Sequence, residues 1–491
     1  LESLLDKVIL GIDIGTTNIK LIAVNQQGKI VFESKIKLSV ERIEADAFEQ
    51  KPELILEAVV RLLKQIALRP DLQIEGLSFS CAMHSLILLD QEYQPLSNAI
   101  LWSDNRAKYQ VRQLKANSDH ANAIYRRTGT PIHPMSPYAK LLWLRQEKSD
   151  LFAKASYIVG IKDYLFQQLF DELVTDCSLA SASGLFNIKK FDWDLDLLNE
   201  LQLSTANLPK IVSMTYQLPK RSRLFSSIFI TQQSFPCIAG GGDGMLSNVG
   251  VGAVNTETLA FTIGTSGAMR VISNQPILDQ NAVLFCYALD KARWLIGGAS
   301  NNGGNILAWL CQKYEPQLSV SELLMQVAEK LNSPPDLLFY PYLHGERAPL
   351  MNAQLTAQYV KINPQHQKLD FLTAAVLGMA FNFRLLFEKI KQSNHSIRTV
   401  RFTGGVSQSK ILQQLFADLL NLPIEVLETE ESSALGAIQI AIESLGSQDE
   451  YSLDSIYQNV TTILPHNQRV MILEKAYQDF IAHLPLLVES S

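Results

Sequence analysis

Cysteine is scarce and unpatterned in this chain: five in 491 residues (Cys81, Cys177, Cys237, Cys286, Cys311), with no Cys-x-x-Cys. That excludes a disulfide framework and a cysteine zinc site, and predicts a reducing, cytoplasmic setting. A long basic run is also missing, and the formal net charge is −6, which argues against nucleic acid as the main partner. No apolar run reaches the roughly 18 residues of a membrane span, and no basic-then-apolar segment opens the chain. No membrane partner is therefore expected, although a chain that begins at Leu1 leaves a leader open. The sequon at Asn459 reads as a chance match. The Walker pattern G-x-x-x-x-G-K-[ST] is absent too, so any nucleotide must be held in another way.

What is present is an ordinary globular composition, 47% apolar and 19% charged, in a chain long enough for several domains. Its main signal is internal repetition. IDIGTTNIKLI (12–22) recurs as FTIGTSGAMRV (261–271), with Gly15 aligned on Gly264. GLSFSCAMHS (76–85) is echoed by TVRFTGGVSQ (399–408), with Phe79 aligned on Phe402. Each half therefore reads as a hairpin with a polar turn, then a helix, then a strand ending in a polar loop. PELILEAVVRLLKQIA (52–67) predicts a helix burying Leu54, Ile55, Ala58, Val59, Leu62 and Ile66, with Pro52 at its first turn. DFLTAAVLGMAFNFRLLFEKI (370–390) is apolar nearly all round, as a buried helix should be. The expectation is two related α/β domains, 1–248 and 249–491, joined near 245–256 with a cleft between them. An added helical segment near 107–200 has Trp143, Phe152, Tyr164 and Phe170 as its core.

The turn Gly15-Thr16-Thr17 offers backbone N–H groups and hydroxyls to anionic oxygens, and its copy Gly264-Thr265-Ser266 makes a pair able to hold successive phosphates. Asp13 then has a purpose, because a carboxylate near polyphosphate acts through Mg²⁺ or its water shell. The copy carries Thr262 at that place. Lys20 either reaches the phosphates or is a solvated surface lysine. TGGVSQS (403–409) leads into a helix whose glycines allow a flat ligand against the backbone, and GGASNNGGNILAWL (297–310) is a second such entry.

In CIAGGGDGMLSNVG (237–250) a short strand ends in three glycines before Asp243. Asp243 suits a helix N-cap, yet that role leaves the glycines unexplained. The alternative is a base that stays ionised beside the helix dipole and takes a proton late in phosphoryl transfer.

Together, GIDIGTTNIK, AGGGDG, TIGTSG, TGGVSQSKIL and MSPYAKLLWLRQE (135–147) resemble the FGGY carbohydrate kinases, a branch of the actin/hexokinase/chaperone superfamily of duplicated, ribonuclease H-like ATPase domains. The resemblance runs from about residue 8 to about residue 445. Segments 83–90, 101–107 and 129–144 are most similar to gluconate kinases; xylulose kinases usually carry Gly where this chain has Ser85. The resemblance implies ATP and Mg²⁺, a sugar or sugar-acid acceptor, and a homo-oligomer, often a dimer. It implies Asp243 as base and Met83, His84, Trp102, Asp104 and Arg106 in the sugar site. Thr16, Thr17, Asn18 and Lys20 match its first phosphate motif, Gly264 and Thr265 its second, and Gly304, Gly405 and Ser409 its nucleotide positions. Asp104 can accept from polyol hydroxyls and Trp102 can face C–H groups; Arg106, His84 and His133 are candidates for an acid's carboxylate. Glu346 and Arg347 read as a structural pair. The alternatives are another sugar kinase, such as one for xylulose, or a nucleotide-driven binding module.

Overall fold

The computed structural model describes residues 5–230, 233–427, 431–453, 456–457 and 460–488; Asn459 lies outside them. In the first half, β1 (Asp6–Ile14) and β2 (Asn18–Asn25) form an antiparallel hairpin extended by β3 (Ile30–Lys37). After α1 (Pro52–Ala67), β4 (Leu72–Cys81) enters parallel to β1. The added helical segment contains α2 (Pro137–Glu147), and β5 (Cys237–Gly242) then completes a sheet of order β5-β4-β1-β2-β3. The helix that follows, α3 (Asp243–Gly250), is short.

The second half repeats the plan. β6 (Thr258–Ile263) and β7 (Gly267–Ser273) form the hairpin, extended by β8 (Phe285–Ala288) and β9 (Trp294–Ser300). Helices α4 (Gly304–Tyr314) and α5 (Lys368–Ser393) precede β10 (Thr399–Thr403), which lies parallel to β6. Then come α6 (Lys410–Leu420), β11 (Ile424–Leu427), α7 (Ser432–Leu445) and β12 (Val460–Ile463), giving the order β8-β9-β7-β6-β10-β11-β12.

The repeat seen in the sequence is a repeat of register. Phe79 pairs across from Ile12, and Phe402 across from Phe261, its aligned counterpart. Both phenylalanines anchor aromatic cores: Phe79 meets Phe166 at 5.1 Å, and Phe402 meets Phe261 at 5.0 Å. In the added segment Trp143, Tyr164 and Phe170 are buried, whereas Phe152 is half-buried against the core.

One detail of α1 differs from expectation. Leu54 is 46% exposed, and Leu63 is buried in its stead. The stripe through Ile55, Val59, Leu62 and Ile66 centres the apolar face on Leu62–Leu63, and Leu54 falls beyond its edge. Helix α5 is long and apolar enough to cross a membrane, but 78% of its apolar window is buried inside the protein. It is a core helix.

The junction between the halves is not a packing boundary. Helix α7 returns to the first half's sheet, where Leu435 and Ile438 share a core with Ile9, Ile22 and Leu246. Helices α3 and α7 cross in backbone contact: a Cβ on Gly250 would lie 1.7 Å from the Ser432 carbonyl oxygen, and one on Gly436 1.9 Å from that of Leu246.

Candidate active site

Between the two sheets lies a cavity of about 430 Å³. Both threonine turns reach it, through Thr16 on one side and Gly264, Thr265 and Ser266 on the other. Each turn is pinned from behind. Gln50 Nε2 donates to the Thr16 carbonyl (2.8 Å) and Leu38 N to that of Thr17 (2.8 Å). Gly304 N donates to the Gly264 carbonyl (2.9 Å) and Asn305 N to that of Thr265 (3.0 Å). The N-terminus of α4 thus rests on the second turn. A side chain at Gly304 would strike the Gly264 carbonyl at 2.5 Å, which is why glycine stands there. Gly264 and Gly405 are different: nothing lies within 4 Å of where their Cβ atoms would be. Ser409 caps α6 by accepting from Leu412 N (3.4 Å).

Asp243 faces the cavity from the first position of α3, with Gly242 as N-cap, so the N-cap reading is corrected. Its Oδ1 accepts from Gly244 N (2.7 Å). Burial pushes its pKa up, against the Arg270 charge and the N–H groups of Gly244 and Met83. The expectation that the helix dipole keeps it weakly basic is therefore corrected: desolvation outweighs the helix terminus. Asp13 accepts from Ser80 Oγ (2.7 Å), and burial, reinforced by the charges of Asp243 and Glu431, pushes its pKa up to about 7. A buried carboxylate at Asp13 that feels the charge of Asp243 suits a hard cation. Among the described residues no cluster of three or more ligating side chains forms, so a cation here would take its remaining ligands from phosphate and water.

Met83, His84 and Trp102 also line the cavity, Met83 beside Asp243. His84 Nδ1 lies 2.9 Å from the Ala182 carbonyl, and burial pushes its pKa down to about 3. A neutral ring with Nδ1–H committed to a carbonyl presents Nε2 as an acceptor, suited to a hydroxyl donor.

The comparisons with known proteins agree with this geometry. The model of the N-terminal domain of the FGGY family of carbohydrate kinases matches residues 8–250, and that of its C-terminal domain residues 259–444. The chain belongs to the FGGY family of carbohydrate kinases. It is 33% identical over 495 residues to the gluconokinase of Bacillus subtilis, covering 98% of this chain and 95% of the relative. A crystal structure of gluconate kinase from Lactobacillus acidophilus superposes with a TM-score of 0.93 at 32% identity, covering 98% of both chains. The structure of a ligand-bound xylulose kinase from the same organism gives the same score and identity over 99% of this chain and 100% of that one. The protein is thus a phosphotransferase with the two-domain, actin-like ATPase fold, taking ATP as donor and a sugar hydroxyl as acceptor.

Within this kinase the cavity gathers Thr16, Met83, His84, Trp102, Asp243, Gly264 and Thr265. Asp13, Thr17, Asn18, Lys20, Asp104, Arg106 and Gly304 do not line it. Lys20 pairs with Glu431 at 2.5 Å. Asp104 is buried, accepting from Phe48 N (3.0 Å) and from Arg106 Nε (2.9 Å). Arg106 also pairs with Glu49 at 2.5 Å and lies over the Trp143 ring at 4.4 Å. The two form a brace behind the wall that carries Trp102. Gly405 and Ser409 lie outside the cavity, and Val406 between them approaches Gly304. Ser85 does not line the cavity: its Oγ accepts from Ile161 N (3.0 Å). His133 is buried and held neutral; its Nδ1 accepts from Met135 N (3.1 Å).

Three polar cavity residues escaped sequence reasoning. Arg347 is not paired with Glu346, whose carboxylate is taken up by Ser300 Oγ (2.7 Å), Asn382 Nδ2 (2.6 Å) and backbone N–H groups. Its guanidinium instead bonds Asn301 Oδ1 (2.7 Å) and sits over Trp102 at 5.3 Å. Arg270 and Tyr287 also line the cavity. Arg270 had a visible signal: an arginine within Ala-Met-Arg-Val-Ile, where the first copy has Leu21.

Proposed function

We propose that this kinase transfers the γ-phosphoryl group of ATP to the terminal hydroxyl of D-gluconate, giving 6-phosphogluconate and ADP. The observation that carries the reading is the position of Asp243, which faces one cavity with both threonine turns and with Met83, His84 and Trp102. A hydroxyl beside Asp243 gives its proton to a carboxylate made more basic by burial. Its oxygen attacks the γ-phosphorus while the bond to the bridging oxygen breaks and ADP leaves. The transition state is loose, so the turns and Asp243 act mainly by position. Asp13 would hold Mg²⁺ or its water shell, and the ion would neutralise charge on the phosphates.

Gluconate as acceptor is supported by the likeness to the Bacillus subtilis gluconokinase and by the cationic groups on the sugar side of the cleft. Xylulose is the second reading, favoured by the equal likeness to the Lactobacillus acidophilus xylulose kinase. A cytoplasmic setting belongs to the same reading, in keeping with five buried, unbridged cysteines. ADP release with D-gluconate, D-xylulose and glycerol tests it. Gluconate should have the highest kcat/KM by roughly tenfold or more. Xylulose leading the series would replace the gluconate reading.

A further inference from the structure

Arg270 and Tyr287 end in the cleft with donors that the protein itself does not use. Arg270 Nε and Nη1 and Tyr287 Oη are buried and have no hydrogen-bond partner among the described residues. Leaving such a group unpaired destabilises the fold, and more so when it is charged. Two of them in one cleft point to a ligand that pairs them. Both offer donors. A guanidinium accepts nothing, and burial pushes the Tyr287 phenol up so that it keeps its proton.

Their place in the sheet puts them on the acceptor's side. Ala268 and Arg270, two residues apart on one face of β7, both line the cavity, Arg270 about 7 Å further along the strand from the Gly264–Ser266 turn. Arg270 pairs across from Gly297, which pairs across from Phe285. A Cβ on Gly297 would lie 2.3 Å from the Met269 carbonyl oxygen and 3.0 Å from the Phe285 ring, so only glycine lets these strands and the ring come together behind Arg270. Tyr287 stacks on Phe285 at 4.5 Å and meets the His84 ring edge-on at 6.1 Å. Arg347 reaches the same space from its seat on Trp102, and its charge acts on both Arg270 and His84.

We propose that Arg270 and Tyr287, with Arg347, bind the carboxylate of a sugar-acid acceptor and select an acid over a neutral sugar. The proposal rests on the cleft being a phosphotransfer site and adds the chemistry by which it chooses its acceptor. A carboxylate offers two oxygens, one to a free N–H of the Arg270 guanidinium and one to Tyr287 Oη, so that both side chains gain a partner. Asp243 and the transferred phosphoryl group are the other anions in the cleft: the Asp243 charge acts on Arg270 but leaves its Nε and Nη1 without a hydrogen bond, and Tyr287 lies against the His84 ring.

The test is calorimetric titration of the full chain, without nucleotide, using D-gluconate and D-glucitol, which differ only in a carboxylate against a CH2OH. Wild type should bind gluconate roughly tenfold or more tighter than glucitol. Arg270→Gln should weaken gluconate by about twentyfold or more and glucitol by less than about threefold. Tyr287→Phe should weaken gluconate by roughly threefold to tenfold. Should Arg270→Gln fail to fold, Tyr287→Phe carries the test alone, since it removes only an oxygen without a partner. A wild type that does not prefer the acid, or variants that keep its preference, would overturn the subsite. A loss of kcat shared equally by acid and neutral acceptors, with binding preference intact, would assign Arg270 to the phosphoryl group instead and also overturn it. Phosphotransfer is read separately by ADP release: acid-selective, Arg270-dependent binding with transfer only to neutral sugars would sink the gluconate reading and leave the subsite standing.

Discussion

Lys20 Nζ lies 2.5 Å from Glu431 Oε1, tying the strand after the first threonine turn to the start of the helix that returns from the second half. Both side chains are mostly buried, so the pair is screened less than a surface bridge. Sequence reasoning offered Lys20 to the phosphates or to solvent; the fold uses it to join its halves. In a double-mutant cycle with Lys20→Met and Glu431→Gln, urea denaturation should give a coupling of about 0.5–1 kcal/mol. Additive single effects would show that the contact does not hold the halves together.

Asp243 should trade stability for chemistry. Burial raises its pKa, so the folded state binds the proton more readily than the unfolded chain. Its ionisation therefore costs stability as pH rises above the range of a free carboxylate. Asp243→Asn should lower kcat by roughly a hundredfold to ten-thousandfold. It should leave ATP binding in place and raise the Tm at pH 8. In wild type, kcat/KM for the sugar should fall on the acid side with an apparent pKa above about 4, the value for free aspartate. A limb at or below that value would mean that the Arg270 charge, and not desolvation, sets the group. Near-normal turnover in Asp243→Asn would remove it from the reaction.

Two kinds of glycine can be separated by substitution. Gly250→Ala sets a Cβ 1.7 Å from the Ser432 carbonyl oxygen, a backbone clash that nothing can rotate away from. It should destabilise the fold by about 2 kcal/mol or more. Gly264→Ala and Gly405→Ala meet open space and should change stability by less than about 0.5 kcal/mol. If these positions lie against the nucleotide, both should raise the KM for ATP. An unchanged KM for ATP in both would take the nucleotide off that surface.

The repeat was legible because hairpin turns and strand registers are local. Ile12 opposite Phe79 and Phe261 opposite Phe402 follow from patterns within short stretches. The place of Asp243 was legible for the same reason, since a glycine-rich strand meets a helix there. What was not legible depended on contacts between distant segments. Arg347 looked like a partner for its neighbour Glu346 until three asparagines and a serine from elsewhere took up that carboxylate and its surroundings. Asp104 and Arg106 look like sugar ligands in a list of polar residues, but Phe48 N and Glu49 from a preceding strand turn them into a brace. Ser85 marks its segment faithfully while bonding Ile161 N on the far side.

Lys140 holds the backbone of His84 from behind the cavity. His84 adopts a left-handed backbone (φ 65°), which costs a side-chain-bearing residue roughly 1–3 kcal/mol and persists only when its surroundings impose it. Lys140, 1% exposed on α2, imposes it by donating Nζ to the His84 carbonyl (2.5 Å) and to that of Ile100 (3.4 Å). The ammonium touches no cavity atom of its own, so it acts by positioning the His84 ring. Lys140→Met should raise the KM for the sugar by about tenfold with little change in the KM for ATP. Stability supplies a second readout that simple loss of packing would not move. Burial pushes the Lys140 pKa down to about 7, whereas the unfolded chain holds that proton until about 10.5. Between those values the unfolded state binds more protons, so this group makes folding more favourable as pH rises. Urea denaturation at pH 6.5, 8 and 9.5 should therefore show the wild type gaining on Lys140→Met with each step. A difference that stays constant across the three would mean that Lys140 is held charged, and that burial does not govern the clamp.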